Sequence, residues 1–90
     1  MELKNTVEMM LSTDYKERFK AEYYQVKERY ERLKAFNSKI EAASRTDYMD
    51  NPVEMPKHDC PDDLLREQQA FMGQYLHILE VRAVIEKIEL

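Results

Sequence analysis

The sequence predicts an all-α fold, built as a long antiparallel helical hairpin with a short helix in front of it. The 90 residues include one Gly, three Pro and no Trp, and 36% of them are charged, a composition that favours helix over sheet. Apolar and aromatic side chains recur at seven-residue spacing in two long segments, as in helices packed along a seam. A stretch with two prolines separates these segments. A chain of this length makes one small domain, residues 1–90.

Two helices are predicted before the connection. The first covers residues 2–11 and is too short to be stable without packing. Its apolar side chains share one side: Leu3, Val7, Met10 and Leu11. Asp14 offers a capping oxygen for a second helix over 14–45, and Glu17, three residues later, fits a capping box.

The connection between the long helices is predicted at 46–60. Pro52 and Pro56 lack the backbone N–H and bias the residue before each toward extended backbone, so helix cannot continue through them. Pro61 suits the first position of a new helix, which is predicted over 61–88. Two aspartates follow Pro61, and the helix dipole favours negative charge in this first turn.

Facing side chains of the two long helices predict how the hairpin closes. The seven-residue spacing selects Phe19, Tyr23, Val26, Tyr30, Leu33, Asn37 and Ile40 on the first helix, and Leu65, Gln68, Met72, Tyr75, Leu79, Arg82 and Glu86 on the second. If the hairpin closes at 46–60, apolar layers pair with apolar layers and polar residues meet one another. The polar pairs are Asn37 with Gln68, Tyr30 with Tyr75, and Tyr23 with Arg82. A slip of one heptad also matches, and the length of the connection favours this register.

These polar layers have two interpretations. In the first they fix the register, because a slip would leave a buried amide or guanidinium without a partner. In the second they border a pocket for a planar or anionic ligand, since aromatic rings beside a cationic side chain suit nucleotide-like groups. The candidate ligand-binding residues are Tyr23, Lys27, Tyr30, Tyr75 and Arg82.

The last helix carries more apolar surface than one partner helix covers. Its second stripe consists of Leu64, Phe71, Ile78 and Ile85. Phe36 adds apolar surface on the other long helix, and Gly73 permits close approach of another chain. An exposed stripe of this length usually marks an interface, so these six residues predict a homo-oligomeric helical bundle. In the alternative, the N-terminal helix and the 46–60 segment cover the stripe.

Composition and motifs argue against several classes of function. The net charge is −4, with both signs mixed along the chain, so nucleic-acid binding is not expected. The sequence shows no signal peptide and no apolar run of transmembrane length, which predicts an intracellular protein without membrane contact. His58, Asp59 and Cys60 are too few ligands for zinc, and they lack the further groups that a cysteine nucleophile needs. We therefore expect a non-enzyme with no metal and no cofactor.

Three motifs carry a resemblance to a known family. They are RFKAEYYQ at 18–25, the isolated Cys60 before the last helix, and LEVRA at 79–83, followed by IE. Over nearly the whole chain after residue 13, the sequence resembles small helical proteins of phages and prophages from gut and other Gram-positive bacteria, labelled as related to a crAss-like phage gene product. Relatives often have a shorter EAGT-type turn where this chain has EAASRTDYMDNP.

The resemblance implies a phage accessory protein in the cytoplasm of an infected bacterial host. Three mechanisms are open. In the first, an oligomer sequesters a nucleotide immune signal between its helices, by analogy with other viral sponge proteins. In the second, the surplus apolar face binds a host protein and blocks it. In the third, the protein assists assembly or regulation of the phage itself.

Overall fold

The computed structural model describes residues 3–90, and over this range the fold is all-helical, as predicted. The elements are a 3₁₀ turn at Leu3–Thr6, α1 at Val7–Met10, α2 at Tyr15–Thr46 and α3 at Asp62–Glu86. Residue 2, the predicted start of the first helix, lies outside the described range. The molecule is elongated, 55 × 25 × 20 Å, because α2 and α3 lie side by side along its length.

Local capping explains where α2 begins. Asp14 has extended backbone, and its carboxylate accepts a hydrogen bond from the Lys16 N–H at 3.0 Å, which satisfies one free donor of the first turn. The Ser12 hydroxyl accepts from the Asp14 N–H at 3.0 Å and so holds the capping residue in place. Asp14 is therefore the N-cap as predicted, but the predicted capping box with Glu17 is replaced by bonds to Lys16 and Ser12.

α3 ends in a turn that returns the chain to the core. Lys87 adopts a left-handed conformation with φ of 59°, and the Ile88 N–H donates to the Ala83 carbonyl at 2.8 Å. This is the Schellman arrangement, in which a left-handed residue lets the chain satisfy the last helical carbonyls. The turn buries Ile88 against the end of the helix pair.

The core lies between α2 and α3, near the end of the hairpin that is far from the connection. We call this the open end, and the end beside the connection the closed end. The core cluster consists of Phe19, Tyr23, Leu76, Leu79, Ala83 and Ile88, with Tyr24, Val26 and Tyr30 packed against it. The α2 side of this seam follows the predicted seven-residue spacing.

The α3 side of the predicted seam is wrong by one residue at every second layer. Leu65, Met72 and Leu79 face α2, but the intervening layers are Gln69, Leu76 and Ala83 in place of Gln68, Tyr75 and Arg82. An apolar seam alternates steps of three and four residues, and the sequence allows either order. Burial decides for the order that places Leu76 and Ala83 in the core and leaves the phenol and guanidinium at the surface.

The three predicted polar pairs change accordingly. The Asn37 amide donates to Gln69 Oε1 at 2.9 Å, one residue from the predicted partner. Tyr30 faces Gly73, where an added Cβ would lie 3.2 Å from the tyrosine ring. The Tyr23 hydroxyl donates to Glu80 Oε2 at 3.2 Å. Polar groups therefore still meet at two of the three layers, while Tyr75 and Arg82 lie elsewhere.

The N-terminal segment packs on α2 by a different face from the predicted one. Thr6 is fully buried, whereas Val7, Met10 and Leu11 are exposed. The Thr6 hydroxyl donates to the Leu3 carbonyl at 2.6 Å and accepts from the Gln25 amide at 2.9 Å. The chain begins in a 3₁₀ turn, with about 3.0 residues per turn, so the predicted α-helical phase is lost. Among the described elements, this segment contacts α2 and not α3.

The connection, 47–61, is neither helix nor strand. The Thr46 hydroxyl accepts from the Val53 N–H at 2.9 Å and ties the segment to the end of α2. The His58 ring lies edge-on to Phe36, 5.9 Å between centroids. The segment therefore packs on α2, and Phe36, predicted as an interface residue, is half-buried inside the chain.

We expect Leu79→Ala to destabilise the fold by about 2–5 kcal/mol, because Leu79 is 1% exposed and its truncation leaves a cavity. Urea denaturation measures the free energy of unfolding. Val84→Ala on the same helix is the control, since Val84 is 80% exposed and its truncation should change stability by no more than about 0.5 kcal/mol. Equal losses in both variants would contradict the position of the core.

The observed register predicts energetic coupling between Asn37 and Gln69. In a double-mutant cycle with alanine at both positions, the coupling should be about 0.5–1.5 kcal/mol, because the two amides share a hydrogen bond. The same cycle with Gln68, which is exposed, should be additive within about 0.5 kcal/mol. Coupling to Gln68 without coupling to Gln69 would restore the register expected from the sequence.

Candidate ligand-binding groove

A groove follows one side of the hairpin between α2 and α3. Its largest part is a cleft of about 490 Å³ at the closed end, lined by Lys34, Asn37, Ser38, Ile40, Glu41, Ser44, Arg45, Asp62, Arg66 and Gln69. Nearer the open end lies a tyrosine pocket of about 250 Å³, lined by Tyr23, Lys27, Tyr30, Glu31, Gly73, Leu76 and Glu80. A depression lined by Tyr30, Glu31, Lys34, Ala35 and Ser38 shares residues with both and joins them.

The closed-end cleft contains an unsatisfied buried acceptor. Asn37 is 8% exposed, and its amide nitrogen donates to the Leu65 carbonyl at 3.1 Å and to Gln69 at 2.9 Å. Its Oδ1 accepts no hydrogen bond from any residue of the described range 3–90. Buried polar atoms are nearly always paired, and leaving one unpaired costs about 1–3 kcal/mol. Oδ1 exposes less than 1 Å², so a donor from a ligand would reach it only if the amide turned toward the cleft.

Positive charge borders the same cleft. Lys34, Arg45 and Arg66 line it together with two carboxylates, Glu41 and Asp62, so cations exceed anions by one. Each arginine makes a 3.2 Å ion pair with the carboxylate one helical turn earlier, and both side chains are more than half exposed. Such surface pairs contribute little stability, and the guanidinium keeps further donors for an incoming anion.

The tyrosine pocket has the opposite charge balance. Its single cation, Lys27, lies 5.9 Å from the centroid of the Tyr23 ring, whereas Glu31 and Glu80 supply two carboxylates. Burial raises the pKa of the Tyr23 hydroxyl, and the neighbouring charge of Glu80 raises it further. The pocket therefore offers aromatic surface for a planar group and repels a phosphate.

Three of the five predicted ligand-binding residues lie together here. Tyr23, Lys27 and Tyr30 line the tyrosine pocket, whereas Tyr75 and Arg82 line neither it, nor the cleft, nor the depression that joins them. The Tyr75 hydroxyl donates to Glu22, which holds the pKa of Tyr75 above its ordinary value. Tyr75 and Arg82 lie apart from these pockets because they flank the α3 seam, and their role in ligand binding stays a prediction.

Arg82 belongs to a polar cluster at the open end. Its guanidinium lies over the Phe19 ring at 5.0 Å, and donates to Glu86 Oε2 at 3.0 Å and to the Tyr15 hydroxyl at 2.6 Å. That hydroxyl donates in turn to Glu86 Oε1 at 2.8 Å. The cluster joins the first turn of α2 to the last turn of α3, so we assign it to stability.

The predicted interface stripe on α3 is exposed. Leu64, Phe71, Ile78 and Ile85 each expose more than half of their surface, and we call these four residues the α3 apolar face. Gly73 lies elsewhere on the helix, since the side chain that approaches it is Tyr30 of its own chain. The predicted close approach at Gly73 is therefore intramolecular.

The sequence pattern does not reveal the cleft. Its cationic residues, Lys34, Arg45 and Arg66, occupy what are ordinary solvated positions of amphipathic helices. Asn37 carries a signal, because an amide on an apolar seam is unusual, but the same signal fits a residue that only sets the register.

Two exposed glutamates form hydrogen bonds across the hairpin. Glu22 and Glu80 are exposed, as expected for solvated helix faces, and each accepts a hydrogen bond from a tyrosine of the opposite helix. Glu80 thereby becomes part of the tyrosine pocket. A glutamate beside the seam gives no local signal of such a partner, because the partner lies on the other helix.

These features define a small all-helical protein with a ligand-sized polar cleft and, among residues 3–90, no helix long and apolar enough to cross a bilayer. The family model named Sequestin matches residues 13–85, and the chain belongs to the Sequestin family. That name is consistent with a sequestering role. No curated protein and no solved structure matches the chain.

The open-end cluster predicts acid sensitivity. The hydrogen bond from Tyr15, followed by that from Arg82, lowers the pKa of Glu86 below its ordinary 4.5. A carboxyl group with a lowered folded-state pKa contributes stability that is present above about pH 4.5 and lost as the pH falls through the folded-state value. Glu86→Gln should therefore reduce the fall in unfolding free energy between about pH 5 and pH 2, measured by urea denaturation.

Glu89→Gln removes the same charge from an exposed residue of the same chain end, and it is the control for the acid series. It should retain the pH dependence of the original chain. If Glu86→Gln also retains that dependence, the hydrogen bonds of Glu86 do not stabilise the folded state.

Proposed function

We propose that the chain is a non-enzymatic sequestering protein of a phage, which binds a nucleotide-type immune signal in the cytoplasm of the infected bacterial host. The observation that carries the proposal is the buried, unpaired Oδ1 of Asn37 in a cleft bordered by three cationic side chains. Membership of the Sequestin family supports a binding role of this kind. The phage context comes from the resemblance of the sequence motifs.

The size and chemistry of the cleft favour such a ligand. Small-molecule sites in proteins occupy about 300–1,000 Å³, a range that includes the 490 Å³ cleft and excludes the 250 Å³ tyrosine pocket alone. The lining is rich in amide, hydroxyl and charged groups, which suit a ligand with many hydrogen-bonding atoms. Nucleotides carry amino and hydroxyl donors together with anionic phosphates.

The charge balance orients the ligand along the groove. Arg45 and Arg66 bind phosphate through guanidinium donors, and Lys34 adds a third cation beside them. An amino or hydroxyl group of the ligand donates to Asn37 Oδ1 once the amide turns toward the cleft. Because Tyr30 borders both the joining depression and the tyrosine pocket, a planar base stacks there, away from the phosphates.

A panel of cyclic dinucleotides and ADP-ribose-derived signals tests the proposal. At least one compound should raise the Tm of the protein and be recovered chemically unchanged after heat denaturation, since sequestration forms and breaks no covalent bond. Arg66→Glu should weaken that binding about tenfold or more, because it replaces a phosphate donor with a repelling carboxylate.

Arg29→Glu makes the same charge reversal at an exposed α2 position that lines neither the cleft, nor the tyrosine pocket, nor the joining depression. It should retain nearly full affinity. The proposal fails if no compound of the panel shifts the Tm. The cleft assignment fails if the two reversals weaken binding equally.

The α3 apolar face favours a second candidate function. A protein inhibitor or adaptor would bind a host or phage protein through exposed apolar side chains, and this face offers four of them in one row. Such a mechanism predicts that Ile78→Glu abolishes capture of the protein partner and leaves small-molecule binding unchanged.

A further inference from the structure

We propose that the α3 apolar face is covered by a second copy of this chain, with the two α3 helices antiparallel about a two-fold axis between Gln74 and Tyr75. The result is a homodimer that leaves the ligand groove of each protomer open. The spacing and charges of α3 support this dimer independently of the proposed ligand.

The face is unpartnered within the described residues 3–90. The side of α3 that contacts α2 carries Leu76, Leu79 and Ala83, and the N-terminal segment packs on α2 alone among the described elements. At about 100° per residue, the α3 apolar face lies roughly 125° around the helix from that core side, which leaves room for another helix. Four large side chains in one row, each more than half exposed, form an apolar patch of the kind that marks interfaces.

The spacing of the face is self-complementary. Its four members recur every seven residues, so reversing the helix direction about the proposed axis places Leu64 opposite Ile85 and Phe71 opposite Ile78. The two-fold axis repeats both pairs, giving four apolar layers. At the axis, the neutral polar side chain of Gln74 falls beside Tyr75 of the other copy. An interface that uses the same patch on both copies is the commonest form of homodimer.

The charges beside the face fit the same register. Glu67 and Arg82 lie at equal distances from the axis, so each Glu67 carboxylate falls opposite Arg82 of the other copy. Arg82 uses its Nε and one Nη for Glu86 and Tyr15, and a guanidinium has five N–H donors, so donors remain for this contact. A parallel pair would instead place Glu67 against Glu67 and Arg82 against Arg82, and like charges disfavour it.

Neighbouring registers are poorer. A slip of one heptad in one direction leaves Ile85 without a partner on α3, and a slip in the other direction leaves Leu64 without one. Either slip also separates Glu67 from Arg82. The proposed register buries all four apolar residues and pairs the charges, so two independent features select it.

The dimer leaves the groove accessible. Gly73, which lines the tyrosine pocket, is two residues from Phe71 and therefore points about 200° around the helix from it. Gln69 and Arg66, which line the cleft, lie on that same far side. Binding of a ligand and pairing of α3 thus occupy opposite sides of one helix, and each can be tested without the other.

The first experiment is the mass of the ligand-free protein by light scattering across a concentration series. The expected mass is twice that of one chain of 10.9 kDa. Ile78→Glu should raise the dimer Kd by about 30-fold or more, because Ile78 lies in the two central layers. Val84→Glu places the same charge on an exposed apolar residue of α3 outside the face, and it should leave the Kd unchanged.

A charge exchange tests the register. Glu67→Arg alone should weaken the dimer, because it places two guanidiniums opposite one another, and the double variant E67R/R82E should recover at least part of the lost affinity. A monomeric mass for the original chain at all concentrations would overturn the proposal and leave the face to a different protein. A dimer insensitive to Ile78→Glu would show that the α3 apolar face is not the interface. Because Arg82 also holds the open-end cluster, the charge exchange is read at matched Tm, and no recovery in a double variant as stable as Glu67→Arg would overturn the register.

Discussion

Burial of Phe19, Tyr23, Leu76 and Leu79 between α2 and α3 is the interaction on which the rest of the structure depends. Among the described residues this is the cluster in which large side chains of both helices are buried together, and isolated helices gain little from propensity alone. Once these side chains meet, the register of the hairpin is set along its whole length. That register places Asn37 beside Gln69, brings Tyr30 against Gly73, and opens the groove between the helices.

Three sides of α3 have different surroundings. One side buries Leu76 and Ala83 against α2, a second lines the groove through Gln69 and Gly73, and the third carries the α3 apolar face. A helix with three such sides has a weak overall amphipathic pattern, so its apolar residues do not reveal which of them face the core. The Sequestin family model, which matches residues 13–85, spans all of α2 and nearly all of α3.

Helix positions followed from the sequence because their signals are local. Asp14 caps α2, and Pro61 with the aspartates after it starts α3. The sequence did not predict which α2 residue each α3 residue faces, because a seam through Tyr75 and a seam through Leu76 satisfy the same spacing. Only packing of whole side chains between two helices distinguishes them. The cleft could not be predicted from the sequence either, because its cationic residues come from both helices and meet only across the hairpin.

The core and the cleft occupy opposite ends of the hairpin. The buried cluster lies at the open end, while the lining of the cleft comes from the closed end, where Lys34, Ser44 and Arg66 are exposed. Substitutions at such exposed positions usually change folding stability by no more than about 0.5 kcal/mol. Selection can therefore alter the exposed positions of the cleft without risk to the fold, whereas Asn37 and Ile40 in its lining are buried. A scaffold divided in this way lets related chains change the charges and hydrogen-bonding groups of the cleft within a few substitutions.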